Sequence, residues 1–183
     1  MELLSGLVVG ILSPDDPNYR STQYISWLEQ IKDQLSSLRQ DLHQHAFGNE
    51  VPYQSESVAV RELFVLATLL YLERQSTQLV GPSAKTDELA KDGFTIFSKL
   101  DQCNKLFPLF TFGCEAQTDS RRLLILDIID RTLKNVNTSS LIFLREVLVK
   151  LWVLTDLDIE RSVPDTRSSC FFLETSNCVL CLL

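Results

Sequence analysis

Apolar residues recur at steps of three and four over long stretches of this chain, the period of helices that bury one face. Tyr24, Leu28, Ile31, Leu35, Leu38 and Leu42 form the clearest stripe, with Glu29, Lys32, Asp33, Gln34 and Arg39 read as its outward face. Pro14, Asp15, Asp16, Pro17 and Asn18 precede it with the chemistry of a turn, and Gly48, Asn49 and Pro52 break it after His45. A second helix, capped by Ser55 or Ser57, is predicted to run to about Gln75, ahead of the stop at Gly81 and Pro82. Its centre, Leu63 to Leu72, is apolar on every side, as expected of a hub surrounded by other helices.

Leu89, Phe94, Phe97 and Leu100 mark a third helix over Lys85 to Leu100, with Gly93 an unfavourable residue in its interior. Residues 107 to 116 read FPLFTFGCEA, and Pro108 suits a first helical turn, where a missing N–H costs nothing. Asp119 or Ser120 is predicted to open the next helix, which Leu123, Leu124, Leu126, Ile128, Ile129 and Leu133 nearly encircle. After a loop at 135 to 140, Leu144, Val147, Leu148, Leu151 and Trp152 form the apolar face of a last helix, Leu141 to about Asp156. The sequon at Asn137 reads as a helix-start cluster. Beyond Asp158 no period is sustained.

These elements predict an all-α fold, an irregular antiparallel helical bundle with short connections. Six Gly and six Pro are too few turn residues for a many-stranded sandwich or barrel, and no fixed-spacing helical repeat occurs. The chain divides into a segment and loop at 1–21, a helical domain at 22–160 and an atypical tail at 161–183, expected to be disordered.

Charge narrows the function. In 183 residues, 24 acidic against 17 basic groups leave a net charge of −7, and the densest basic spot is the pair Arg121 and Arg122. Affinity for a phosphate backbone needs clustered cations, so direct nucleic-acid binding is not expected. The longest interior apolar run, Leu63 to Leu72, falls well short of the ~20 residues that span a bilayer. The apolar start, MELLSGLVVGIL, has Glu2 where a signal peptide carries a cation, and no small-residue cleavage site follows it. Five cysteines, at 103, 114, 170, 178 and 181, make an odd set that suits a reducing compartment better than a disulfide framework.

Candidate chemistry is sparse. Cys178 and Cys181 form a C-x-x-C, with Cys170 as the nearest third ligand and no fourth; His43 and His45 lie in the opposite half of the chain. Cys114 is followed by Glu115, but adjacent helical positions diverge by about 100°, so the two do not converge as nucleophile and base. Phosphate-binding glycine loops are absent, and Cys181 stands too close to the end for prenylation. Asp127 with Asp130, and Asp156 with Asp158, read as surface charges. No catalytic residue, metal site or cofactor is assigned.

The segment Phe107, Pro108, Leu109, Phe110, Thr111, Phe112, Gly113, Cys114, Glu115, Ala116 resembles a hallmark helix of the fungal-specific transcription factor domain, the helical regulatory region that follows a zinc binuclear-cluster module. LLYLER at 69–74, Arg121 with Arg122, and VKLWVLTDLD at 149–158 with Trp152 in the aromatic position resemble its flanking helices, so the likeness spans about 55–160. Phe107 replaces a frequent Trp, and the six clustered cysteines of the zinc module have no counterpart before Cys103. The resemblance therefore implies the C-terminal half of the regulatory domain without its DNA reader, and a tail that could stem from a misread gene.

What the resemblance implies is a non-enzymatic, nuclear regulatory module that acts by protein–protein contact, with other transcription regulators as partners and with structural roles for Phe107, Pro108, Leu109, Phe110, Gly113, Cys114, Glu115, Ala116 and Trp152. A fragment of a larger bundle would also expose apolar helix faces. The main alternative is a helical scaffold or adaptor unrelated to transcription. A third is a cavity lined by Phe94, Phe97, Phe107, Phe110 and Phe112.

Overall fold

The computed structural model describes residues 12, 16–46, 52–80, 84–136 and 138–160, and among these it contains six α-helices and no strand. They are α1 (Thr22–Ala46), α2 (Pro52–Val80), α3 (Lys85–Phe97), α4 (Leu106–Cys114), α5 (Asp119–Asn135) and α6 (Ser139–Glu160). The fold is all-α, as the periodicity predicts. The readings that concern the start of the chain, Gly48 and Asn49, Gly81 and Pro82, Asn137, and the tail with Cys170, Cys178 and Cys181 lie outside the described residues, as do the side chains of His43, His45 and Asp158.

Asp16 forms an Asx turn ahead of α1, its Oδ1 accepting from the Asn18 N–H at 2.7 Å. Ser21 then caps α1, its Oγ accepting from the Tyr24 N–H at 3.2 Å. Tyr24, Leu28 and Leu35 pack on Val65, Leu69 and Leu72 of α2, while the other side of α2 places Leu63, Leu66, Ala67 and Leu70 in a larger core shared with α3 to α6. The predicted hub is thus real, and it separates two layers of apolar packing.

Two charges depart from the expected outward face of α1. Lys32 is buried and reaches Glu29 at 2.5 Å and Glu73 at 3.6 Å. Arg39 is largely covered between Glu62, at 3.4 Å, and Asp92, at 2.6 Å. Both stand one turn after a core leucine, Leu28 or Leu35, so they fall in the middle of the seam, and Leu38 is displaced to its exposed edge. Acidic partners on α2 and α3 make that placement tolerable. The pairs also fix direction: the earlier α1 cation meets the later α2 acid, so α1 and α2 run antiparallel. Arg122 with Asp156 and Arg145 with Asp130 give α5 and α6 the same relation.

Helix ends differ from the sequence expectation for local reasons. α2 begins at Pro52, which fits a first turn, and continues past Gln75 to Val80. Its polar residues remain helical because they find partners: Ser76 Oγ donates to the Leu72 carbonyl at 2.9 Å, and Gln75 donates to the Tyr71 hydroxyl at 3.1 Å. α3 stops at Phe97, after which tight turns bring Leu100 back into the core. α5 does begin at Asp119, one of the two expected starts, with Thr118 as its cap. It is not encircled by apolar contacts, however. Ile125, Ile128, Ile129 and Thr132 are buried, whereas Leu123 is 65% exposed, because α5 lies at the edge of the bundle.

Candidate functional site

The shortest helix is the most enclosed: α4 touches α2, α3, α5 and α6. Lys105 leads into it in extended conformation, and Pro108 occupies the third helical position, where no N–H partner is lost. Phe107, Leu109, Phe110 and Phe112 are all buried. Phe107 stacks on Phe64 at 6.3 Å, and Phe112 meets Phe94 and Phe97 edge-on at 5.8 and 5.4 Å. The phenylalanines named as a cavity lining are thus close-packed against other side chains.

Two glycines set how closely the helices approach. A Cβ on Gly113 would stand 2.5 Å from Leu148 Cδ2 and 2.7 Å from its Cδ1. That bare backbone is also where Trp152 docks, its indole Nε1 donating to the Gly113 carbonyl at 2.8 Å. Gly93 of α3 plays the matching part on the other side of α4, since a Cβ there would enter the space of the Phe112 ring. Gly113 and Trp152, distant in sequence, are therefore one contact between α4 and α6.

The end of α4 is held by charge. Glu115 is buried, and both its carboxylate oxygens accept from Arg74, Nε at 2.7 Å and Nη2 at 2.5 Å. This bidentate pair raises the Arg74 pKa, against the opposing effect of burial. Ala116 is buried, and its carbonyl accepts from Arg122 Nε at 3.1 Å. Arg122 also chelates Asp156 with two 2.7 Å hydrogen bonds and lies over the Trp152 ring at 5.6 Å. Arg121 covers Phe94 at 4.7 Å. Both members of the basic pair thus serve contacts within the bundle.

Cys114 packs against the core, and burial pushes its thiol well above the ordinary range, with the Glu115 charge adding to the shift. A raised thiol pKa is the opposite of what a nucleophilic cysteine requires, and Glu115 is engaged by Arg74. Asp127, Asp130 and Asp156 pair with Arg131, Arg145 and Arg122. Among the described residues no group of His, Cys, Asp and Glu is placed to hold a metal ion, and no helix is long and apolar enough to cross a membrane.

A second feature lies on the far side of α6. Ile142, Phe143, Val149, Val153, Leu154 and Leu157 are all exposed, Phe143 and Leu154 by 60% and 63%. Their spacing places them opposite the buried row Leu141, Leu144, Leu148 and Trp152. A helix apolar on both sides is ordinarily covered on both. From sequence only the inner face is legible, because one stripe already accounts for a helix. The parts played by Arg74, Gly93 and Leu148 are hidden in the same way; an arginine within the apolar hub is the one available signal, since its charge demands a partner.

The class these features define is a helical domain built around a short aromatic helix, with Arg39, Arg74, Arg122, Arg131 and Arg145 engaged in pairs within the bundle and an apolar helix face turned outward. The chain belongs to the fungal specific transcription factor domain family, whose model matches residues 13–168. The match begins upstream of the 55–160 legible from motif residues and takes in α1. The chain is also similar to "Transcription factor iacI" of Pestalotiopsis fici, 33% identical over 96 residues, which cover 52% of this chain and 25% of that protein. No solved structure matches the chain.

Proposed function

We propose that this chain is a regulatory module of a fungal transcription regulator that works in the nucleus by protein–protein contact rather than by catalysis. Membership in a transcription-factor domain family supports the process. The observation that carries the mode of action is the outward apolar face of α6, set beside cations engaged within the fold at Arg39, Arg74, Arg122, Arg131 and Arg145. A surface of that kind recognises another apolar protein surface, and it offers little to a phosphate backbone. Other transcription regulators are the partners that fit, and no cofactor is assigned.

The test tethers the chain to a heterologous DNA-binding module upstream of a reporter gene in a fungal host. A changed reporter output, up or down, relative to the DNA-binding module alone is expected. Unchanged output at equal nuclear abundance would refute the reading, as would tight, sequence-selective DNA binding by the purified chain in a gel shift.

A further inference from the structure

α1 stands apart from the rest of the bundle in how it is held. The larger core, shared by α2 to α6, contains no residue of α1, and α1 packs mainly on α2 through a smaller cluster of its own. On its inner face Leu28, Lys32, Leu35 and Arg39 stand at i, i+4, i+7 and i+11, which on a helix puts all four within about 60° of arc. The stripe of α2 that meets them has the complementary order, with Val65, Leu69 and Leu72 between Glu62 and Glu73. Lys32 reaches Glu73 at 3.6 Å and Arg39 reaches Glu62 at 3.4 Å, so an acid at each end of the apolar strip meets a cation of α1.

Charge inside such a seam contributes selectivity more than hold. Bringing Lys32 and Glu73 together costs both their hydration, which offsets much of their attraction, whereas a helix with no cation there would leave Glu73 buried without that partner. Loss of α1 would uncover Val65, Leu69 and Leu72 but remove nothing from the larger core. We propose that this stripe of α2 is a helix-docking face, which α1 occupies in cis and which a partner helix of the same chemistry, apolar at i and i+7 with cations at i+4 and i+11, occupies in its place. Joined to α2 through residues 47–51, α1 has a high effective concentration at the face, so the partner has to compete with it. This face is separate from the outer face of α6.

Fluorescence anisotropy of a labelled peptide of residues 19–46, titrated with the full chain carrying Leu28→Asp and Leu35→Asp, reads the docking. Both leucines are buried in the α1 seam, so two carboxylates there should expel α1 and leave the larger core folded. The peptide is expected to bind this variant with a Kd of about 10 µM, and to bind the wild-type chain, whose own α1 holds the face, at least about tenfold more weakly. A peptide carrying Lys32→Gln and Arg39→Gln should also bind the variant at least about tenfold more weakly. In the wild type, hydrogen exchange should find the α1 amides at least about tenfold less protected than those of α4, because α1 opens without the larger core. The absence of saturable peptide binding overturns the proposal, as does equal binding to the variant and the wild type. So does a glutamine peptide that binds as well as the natural one, or an α1 as protected as α4. A variant that loses its cooperative thermal transition overturns it too, since the larger core would then depend on α1. Peptide binding is read without the tethered reporter, so one site can fail while the other stands.

Discussion

Gly93→Ala is the perturbation whose sign separates helix propensity from packing. Gly93 lies inside α3, and replacing an interior glycine with alanine ordinarily stabilises a helix by about 1 kcal/mol. The environment opposes this. The new methyl would enter the space held by Cε1 and Cζ of Phe112, with Cδ1 at 2.9 Å. Phe112 is fully buried and is held edge-on between Phe94 and Phe97, so its ring has to move against two others. Overpacking of a rigid ring falls near the upper end of the usual range, about 3 kcal/mol, which leaves a net loss of roughly 2 kcal/mol after the propensity gain. For a domain of this length that is a fall in Tm of about 4–8 °C by circular dichroism. In a Phe112→Leu background the smaller side chain frees the space, so the same Gly93→Ala change should cost less, and the double-mutant cycle should show favourable coupling. A Tm raised by Gly93→Ala in the wild-type background would refute the close approach of α3 and α4.

Other contacts give further tests. Arg74→Met should leave Glu115 buried without its partner and cost about 3 kcal/mol or more in urea unfolding, whereas Arg74→Met with Glu115→Leu should recover much of the loss. Trp152→Phe keeps an aromatic ring but removes the donor to the Gly113 carbonyl; that carbonyl still accepts from the Ala116 N–H, so the loss should be only about 1 kcal/mol by urea unfolding. The Arg122 hydrogen bonds hold the Asp156 carboxyl below the ordinary carboxylate range. A depressed folded pKa means that this pair contributes stability above the unfolded pKa and loses it as pH falls through the folded one. NMR titration should therefore find Asp156 titrating below a free aspartate, and Arg122→Gln should return it to the ordinary range.

Much of the fold was legible because it is written in local period. Leu63 to Leu72 announces a helix buried all round, and α2 does sit between two cores. Pro108 marks the first turn of a helix, and α4 does carry it there, although only the packing shows that α2, α3, α5 and α6 enclose it. What the sequence hid depends on neighbours. Lys32 and Arg39 look like solvent-facing charges until Glu73, Glu62 and Asp92 are brought across from α2 and α3. Leu123 and Leu124 differ in burial only because α5 lies at the edge of the bundle. Gly93 looks like a weakness in α3 until the Phe112 ring is placed against it. Even the outer face of α6 was present as letters, but an exposed Leu154 and a buried Leu148 are indistinguishable until the packing is known.

A domain that acts through its outward apolar face should lose its effect on transcription when that face is made polar. The measurement closest to this is reporter output from the tethered chain carrying Val153→Glu together with Leu154→Glu, compared with the tethered wild type at equal abundance and equal helical content. Both residues are more than half exposed, so the fold should hold while the face is lost. Output should return to the level of the DNA-binding module alone. A variant that regulates the reporter as the wild type does would contradict that mode of action.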